Sequence, residues 1–432
     1  MLYVKLRVEE NVPNYNHLLP LKKMLPMKIP GEYKIAFMMA VSAMFTLAGY
    51  ELIRSAATVL FKTAYGAENL PLVMAAMPFV VFAGVALYGW ILSQLGPRRT
   101  LLVTSLGSGL IILACYLALM TGSKLITPVL FLVKELYIVL LIEQYWSYIN
   151  SSLSSETAKK VNGPVTGIAG LGGAVGGSLV ALSAESLGTE AMILLAAISV
   201  IPAAMLSNLT YVIHGQPAMP EAGPERDKHY MGWHLFRSNP TLACLLAIVF
   251  STQVIAAVLD FKFQLLLSSD FVGKPDEETA FQGRFWGTLN TCVLFLQFVV
   301  SPLLLSFLAI RWVHMVLPLI HIAAISTALI SPNLVTVGVA FFLFKAFDYS
   351  IFRGAKELLY IPLNFDARYR AKEVIDVFGY RSGKGISSVV IVLLQRAGIA
   401  MSNYYLTIGF VVACLWLALV FPLTRQRENN SA

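Results

Sequence analysis

Charged residues and cysteines are scarce in this sequence, and each shortage excludes a class of protein. Of its 432 residues, 32 are basic, 24 are acidic and 57% are hydrophobic. A soluble chain of this length would carry roughly a hundred charged residues on its surface. The composition therefore excludes an ordinary soluble enzyme and indicates an all-α polytopic membrane protein.

Motifs for metal, redox and hydrolytic chemistry are also missing. The four cysteines (Cys115, Cys244, Cys292 and Cys414) lie far apart in apolar stretches and form no CxxC pair, so neither a metal site nor a disulfide framework is predicted. No P-loop, HExxH, GxSxG or Ser/His/Asp arrangement occurs. We therefore expect no metal, no cofactor and no enzyme activity. The excess of basic residues is better explained by membrane topology than by nucleic-acid binding.

Apolar stretches of membrane-spanning length recur along the chain. At about 20 residues per helix, they predict about twelve transmembrane helices. They lie near residues 35–53, 70–92, 100–121, 125–149, 164–184, 190–213, 240–266, 285–309, 312–330, 334–352, 374–397 and 402–423. The predicted organisation is a cytoplasmic segment at 1–34, a six-helix half at 35–213, a cytoplasmic central loop at 214–239, a second six-helix half at 240–424 and a cytoplasmic tail at 425–432.

Two halves of six helices are typical of the major facilitator type, whose halves pack around a cavity at the membrane midplane. The stretch GWILSQLGPRRT at 89–100 resembles the loop motif of that superfamily. Gly89, Gly96, Arg98 and Arg99 match the motif, and Ser93 stands where it usually has Asp.

The distribution of basic residues predicts the orientation. Most of them fall in segments that would share one side with both termini. The opposite side holds only Lys62, Lys124, Lys274, Arg284 and Arg396. By the positive-inside rule, both termini are predicted to be cytoplasmic. We expect a multi-pass protein of a bacterial inner membrane.

Ionisable residues inside the predicted spans are the main functional signal. An ionised side chain near the bilayer centre costs several kcal/mol, so such residues face a wet cavity or pair with each other. The basic ones are Arg54, Lys134, Lys262, Lys345, Arg381 and Lys384, and the acidic ones are Glu135, Glu143, Asp260, Asp348 and Asp376. A cavity with more cations than anions suits an anionic solute.

Each of these charges also has a purely structural interpretation, as an interhelical ion pair. Lys262 is the clearest case, because it points about 160° away from Asp260 on a helix. Snorkelling or local pairing is as good an explanation for Lys262 as a functional role.

Glycines dominate the stretch GPVTGIAGLGGAVGGSLVA at 163–181. A dinucleotide-binding fingerprint would need a preceding strand and a βαβ unit. Glycines at four-residue spacing in an apolar helix more often let two helices approach closely. We therefore expect a packing surface, which could slide between the two halves.

The segment at 345–389, KAFDYSIFRGAKELLYIPLNFDARYRAKEVIDVFGYRSGKGISSV, resembles the signature region of the nucleotide transporter family. That family includes the ATP/ADP translocases of plastids and intracellular bacteria. The matching residues are Tyr349, Ser350, Phe352, Lys356, Glu357, Tyr360, Ile361, Pro362, Leu363, Lys372, Ile375, Asp376, Val377, Arg381, Gly383 and Lys384, whereas Gly385 replaces the family's last Ser.

Three shorter stretches are similar to other parts of the same family. They are IEQYWSYINSS at 142–152, YELIRSAATVLFKTAYGAENLP at 50–71 and VLDFKFQ at 258–264. Arg54 and Ser55 stand where ATP/ADP translocases carry Lys and Asp. Because of this difference, the resemblance supports membership of the family more strongly than specificity for ATP and ADP.

The resemblance implies exchange of a nucleotide, or another phosphorylated anion, by alternating access and without hydrolysis. Together with the intramembrane charges, it predicts a substrate site formed by Arg54, Glu143, Trp146, Asn150, Asp260, Lys345, Asp348, Tyr349, Arg381 and Lys384. Cations would bind the phosphates, and Trp146, Tyr145 or Tyr349 could stack on a base. An inner gate is predicted at Lys356, Glu357 and Asp376. The expected partners are an anionic nucleotide and the lipid bilayer, and the expected functional unit is a monomer.

Two alternatives remain at this stage. The first is a proton-coupled major facilitator carrier of another organic or phosphorylated anion, in which Glu143, Asp260 and Asp348 would carry protons. The second is a polytopic membrane enzyme such as a lipid-linked transferase. An enzyme would need acid, base or nucleophile groups near a membrane face, whereas the charges here lie at mid-span.

Overall fold

The computed structural model describes residues 31–216, 236, 240–360, 372, 375, 379 and 383–431, with the backbone alone at 155, 240 and 424–431. Over these residues the chain is helical and has no strand. Two residues of the predicted site and gate, Arg381 and Asp376, lie outside the described residues.

The N-terminal half is built from six helices. They are α1 (Gly31–Tyr65), α2 (Leu70–Ala75), α3 (Met77–Leu119), α4 (Ile126–Ser152), α5 (Ser155–Leu187) and α6 (Thr189–His214). α3 bends at Gly96, whose φ of 72° is accessible to a residue without a Cβ. Beside the bend, Arg98 Nε donates to Asn208 Oδ1 of α6 at 3.0 Å. The loop motif therefore turns the chain and attaches the turn to α6.

The C-terminal half follows after the central loop. Its helices are α7 (Pro240–Asp270), α8 (Pro275–Phe295), α9 (Ser301–Phe307), α10 (Ile310–Ile330), α11 (Leu334–Phe347), α12 (Arg353–Tyr360), α13 (Gly383–Arg396) and α14 (Tyr405–Ser431). Two π-helical turns, Leu296–Val300 and Asp348–Phe352, join α8 to α9 and α11 to α12. Pro302 follows the first turn. Its ring lacks an N–H and crowds the carbonyl four residues earlier, which explains the local widening.

Nine helical stretches within the described ranges are long and apolar enough to cross a membrane. One of them, α3, supplies two spans because of its bend, and α4 and α13 lie outside the nine. The described helices are thus consistent with about twelve spans and confirm the predicted all-α, multi-pass architecture. Two helices extend beyond the predicted apolar spans, since α1 continues to Tyr65 and α8 begins at Pro275, ten residues before the span predicted at 285–309.

Buried apolar side chains form one large cluster within residues 242–423 and another within residues 35–211 that also includes Ala280. A third, smaller cluster combines Phe61 and Phe131 with Phe261 and Tyr405. The first two clusters hold each half together, and the third joins the halves where α1 ends. We propose on this basis that the halves divide at the central loop.

The glycine-rich helix α5 packs between α1 and α8. A Cβ at Gly172 or Gly176 would overlap the α1 backbone at Met44 or Ala48. On another face, a Cβ at Gly177 would overlap the α8 backbone at Gly287. The glycines therefore serve close helix packing, in line with the sequence interpretation, and they bring the two halves into contact.

Candidate substrate site between the two halves

Arg54 lies in α1 and contacts side chains from both halves. Its Nη2 donates to Glu51 Oε2 at 2.5 Å, one helical turn earlier. Its guanidinium lies over the Trp286 ring of α8, 3.6 Å from the ring centroid, and 5.2 Å from the Tyr50 ring centroid. An aromatic face attracts a cation electrostatically, so Trp286 helps to fix the position of this charge.

Glu51 connects Arg54 to the C-terminal half. Its Oε1 accepts a hydrogen bond from Asn290 Nδ2 of α8 at 3.0 Å. Sequence reasoning missed Glu51, Trp286 and Asn290. The spacing of Glu51 and Arg54, three residues apart on one helix, was a usable signal. Nothing in the sequence pointed to α8, because its contribution depends on how the halves pack.

A second pair, Lys384 of α13 and Asp260 of α7, lies within the C-terminal half. Lys384 Nζ is 2.8 Å from Asp260 Oδ2, and the two side chains are 25% and 16% exposed. Partial exposure matters here, because a pair that solvent reaches can exchange its partner for a solute. Asp260 therefore lies where it would compete with a bound anion for Lys384.

Lys345 and Asp348 are both buried where α11 meets its π-helical turn. Lys345 Nζ donates to Tyr349 Oη at 3.3 Å, and Tyr349 itself is 38% exposed. π-helical turns inside α-helices occur often at functional sites. Here the turn places a cation, an anion and an accessible aromatic side chain close together.

Lys134 and Glu135 of α4 form a third pair, with Nζ and Oε1 at 2.7 Å. Lys134 also lies over the Phe131 ring, 3.8 Å from its centroid. This pair was expected among the intramembrane charges but was not assigned to the substrate site.

The pairs are close enough to form one electrostatic network. Asp260 interacts with the charges of Lys384, Lys345 and Lys134, and Glu135 interacts with those of Lys384 and Arg54. Charges from α1, α4, α7, α11 and α13 therefore act on a common region. Of the predicted site residues, the structure brings together Arg54, Asp260, Lys345, Asp348, Tyr349 and Lys384.

The described part of this network is balanced in charge. Cations were expected to outnumber anions. The described cations are Arg54, Lys134, Lys345 and Lys384, and the described anions are Glu51, Glu135, Asp260 and Asp348. Glu51 is an anion that the sequence analysis did not count, and the predicted cation Arg381 lies outside the described residues. An arriving anion must therefore compete with carboxylates for the cations.

The remaining predicted residues of α4 divide between two environments. Trp146 lines a cavity of about 170 Å³ between α1, α4, α5 and α8. Glu143 and Asn150 are exposed and do not line this cavity. Glu143 instead interacts electrostatically with Tyr88 of α3. Helical spacing suggested that the three residues share one face of α4, but only Trp146 of the three lines this cavity.

Two of the three predicted gate residues are described. Lys356 is buried in α12, and Glu357 Oε2 lies 2.5 Å from Lys372 Nζ. Lys262, whose role the sequence left open, donates to the carbonyl of Ser402 at 3.3 Å. That bond attaches α7 to the turn before α14 and supports the structural interpretation of Lys262.

Side chains join the two halves at the end of the bundle opposite the predicted gate. At this end α1, α5 and α7 end and α6 and α8 begin. We name it the closed end. Lys62 of α1 is buried, forms an ion pair with Glu278 of α8 and donates to Gln264 Oε1 of α7 at 2.7 Å. The backbone N–H and the hydroxyl of Thr189 both donate to Asp276 Oδ1, at 2.7 and 2.6 Å.

A third contact at the closed end joins Arg284 to Glu185, with 3.4 Å between Nη1 and Oε1. Lys62 and Arg284 were predicted on the side opposite both termini, and they lie within α1 and α8. The apolar stretches were predicted too short here, since polar side chains that face another helix interrupt hydrophobicity without ending the helix.

The folding pattern and the buried charges define a multi-pass membrane protein with a major facilitator-like fold. The solved structure of the nucleoside transporter NupG superposes with a TM-score of 0.63 at 13% identity, covering 92% of this chain and 99% of that chain. A bacterial homolog of the human lysosomal transporter Spinster gives 0.62 at 14% identity, over 92% and 98%. At such identities the likeness concerns the fold, and it confirms the predicted architecture.

The family resemblance is carried by the C-terminal half. Residues 288–427 match the TLC ATP/ADP transporter family, which confirms the resemblance predicted from the segment at 345–389. ADP,ATP carrier protein 4 of Rickettsia felis is 30% identical over 91 residues, 20% of this chain and 18% of the relative. ADP,ATP carrier protein 1 of Rickettsia typhi is 32% identical over 89 residues, 19% of this chain and 18% of the relative. The chain thus matches less than a fifth of the length of these curated relatives.

Proposed function

We propose that the protein is a membrane transporter that exchanges nucleotides, such as ATP and ADP or related tri- and diphosphates, by alternating access. The observation that carries this proposal is the network of intramembrane cations between the halves, in which Arg54 and Lys384 are each paired with a carboxylate that an anion can replace. Phosphate oxygens would take the place of Glu51 on Arg54 and of Asp260 on Lys384. The chain would then act as a carrier and not as an enzyme.

Exchange follows from the balance of charge in the described network. While a multiply charged phosphate is bound, the displaced carboxylates and the substrate compete for the same cations. When the substrate leaves, Glu51 and Asp260 recover their partners, so no cation stays unpaired in a low-dielectric site. ATP differs from ADP by about one charge, so the exchange would respond to membrane potential.

Alternating access needs one end open while the other is closed. The ion pair of Lys62 and Glu278 joins the halves at the closed end, which would face the outside of the cell by the positive-inside rule. The cytoplasmic gate would comprise Lys356, Glu357 and Asp376, with both termini on the same side. A monomer in a bacterial inner membrane contains all of these parts.

Uptake into liposomes tests the proposal directly. Purified protein in vesicles preloaded with unlabelled ADP should take up labelled ATP, and Lys384→Ala should abolish uptake. Lys274→Ala is the matched control, since Lys274 is 58% exposed and, among the described residues, forms an ion pair only with nearby Glu277. Wild-type uptake by Lys384→Ala would remove this lysine from the site. Uptake that needs a proton gradient but no internal nucleotide would instead establish the proton-coupled carrier.

A further inference from the structure

The cavity beside Trp146 does not contain the ion pairs described above. Hydrogen bonds connect one of its lining residues, Asn290, to the Glu51–Arg54 pair. Its volume is about 170 Å³, and most of its wall is apolar, from Ala43 and Leu47 of α1 to Leu294 of α8. An engineered apolar cavity of about 150 Å³ is known to bind benzene. This cavity is therefore large enough for an aromatic ring and too small for a whole nucleotide.

Three side chains that line the cavity could bind a heteroaromatic ring by stacking or hydrogen bonding. Trp146 offers an indole face, and Asn290 and Gln297 offer carboxamides. Among the described residues, Gln297 has no hydrogen-bond partner, so its donor and acceptor are both available. Asn290 donates to Glu51 and keeps its oxygen as an acceptor. A carboxamide pairs in a bidentate manner with adenine, which presents an amine donor next to a ring acceptor.

Gln297 belongs to the π-helical turn Leu296–Val300. A π-turn rotates the following side chains relative to an uninterrupted α-helix, and such turns recur at functional sites. The other π-turn of the C-terminal half carries Asp348 and Tyr349 of the ion network. Both π-turns thus contribute polar side chains to the region between the halves.

The cavity and Arg54 are joined through one carboxylate. Asn290 donates to Glu51 Oε1 at 3.0 Å, and Arg54 donates to Glu51 Oε2 at 2.5 Å. Two hydrogen bonds across one carboxylate span less than about 8 Å, a separation that a ribose can bridge between a base and its phosphates.

We propose that this cavity is the base subsite, in which Trp146 stacks on the base and Gln297 reads the donor–acceptor edge of adenine. The proposal rests on the proposed function and adds to it the residues that select the base. A base held between α4 of one half and the π-turn of the other would also couple substrate binding to approach of the halves, because it binds best when both walls are present.

Three probes separate the contributions of base and phosphate: ATP, inosine triphosphate and inorganic tripolyphosphate. Inosine triphosphate keeps the phosphates but replaces the 6-amine of adenine by a carbonyl. Binding is measured by calorimetry on the full-length protein in nanodiscs. Wild-type protein should bind ATP about tenfold more tightly than inosine triphosphate, since a bidentate pair discriminates bases at this level.

Gln297→Met keeps the side-chain length and removes both hydrogen-bonding groups. It should reduce the ratio of ATP to inosine triphosphate affinity to about one and leave tripolyphosphate affinity unchanged. Gln395→Met is the matched control, because Gln395 is only partly buried and its Nε2 donates to the carbonyl of Glu68 outside the cavity. Trp146→Ala should weaken both nucleotides about tenfold through loss of stacking, whereas Trp146→Phe should retain most of the affinity.

The outcomes distinguish the two proposals. An unchanged affinity ratio in folded Gln297→Met would overturn the base subsite while leaving nucleotide binding in place. The base subsite would also be overturned if wild-type protein bound tripolyphosphate as tightly as ATP, since the base would then contribute nothing to affinity. Failure of all three probes to bind wild-type protein would overturn the proposed function itself.

Discussion

At the scale of single residues, the central feature is that every described cation of the site has a defined partner. Arg54 has both a carboxylate, Glu51, and an aromatic face, Trp286. A planar guanidinium can keep its stacking contact while its N–H groups change from one acceptor to another. Trp286 would thus hold Arg54 in place while Glu51 and the substrate exchange.

Replacement of Trp286 tests this arrangement. Trp286→Ala should weaken ATP binding by about fivefold, equivalent to about 1 kcal/mol, because a cation–π contact of this kind contributes roughly that much. The ATP affinity of Trp286→Phe should lie between those of Trp286→Ala and the wild type. Calorimetry measures the affinities, and Trp312→Ala serves as the control because Trp312 is 56% exposed. Unchanged affinity in Trp286→Ala would show that the aromatic face does not support substrate binding.

Residue chemistry also marks the limit of the sequence analysis. Arg54, Asp260, Lys345 and Lys384 could be singled out, because an ionisable side chain in an apolar span is costly and so conspicuous. Asn290 and Gln297 could not, since neutral amides are common in helices. Their importance comes from a cavity that forms only when two distant helices meet.

At the scale of elements, α5 is the helix on which the contact between the halves depends. Its glycines allow the backbones of α1 and α8 to approach on two faces. The periodicity of the glycines predicted close packing, because small residues are the usual means of helix association in membranes. Which helices would pack against α5 was not predictable, since the glycine pattern carries no information about the partner.

A substitution in α5 tests this role. Gly172→Ala should lower stability by about 1–3 kcal/mol, since the added Cβ overlaps the α1 backbone at Met44 and forces the helices apart. Gly107→Ala is the control, because nothing lies within 4 Å of the position of its Cβ. Thermal unfolding in detergent measures both. If the two variants melted alike, close approach at Gly172 would not contribute to stability.

At the scale of the whole molecule, the two ends of the bundle differ. The closed end is joined by Lys62, Thr189 and Arg284 with their partners in the other half. Removing one partner of a buried ion pair destabilises a protein by several kcal/mol, whereas an exposed pair contributes only about 0–1 kcal/mol to stability. The buried pair of Lys62 and Glu278 should therefore dominate the closure.

Opening of the closed end can be measured as a distance. Spin labels at Ser186 and Lys274 lie at this end in different halves. In Glu278→Gln, the population with a long distance between the labels should increase, because Lys62 loses its ionic partner. Arg284→Gln should change the distribution little, since Arg284 and Glu185 are both more than half exposed. The exchange variant Lys62→Glu with Glu278→Lys should restore the short distance. Identical distributions in Glu278→Gln and wild type would exclude this pair as a gate.

What the sequence determined by itself was the class of the molecule and the identity of its conspicuous charges. Composition and the number of spans depend on how favourably each segment transfers into lipid. The segment at 345–389 is identified by its residue order alone. None of the three depends on how the helices pack. The tertiary structure decided which charges share a site, that Glu51 balances Arg54, that Lys62 joins the two halves, and that an aromatic-sized cavity lies beside Trp146. Those properties depend on distances between residues as far apart in the chain as Glu51 and Asn290, and helical periodicity relates only residues on the same helix.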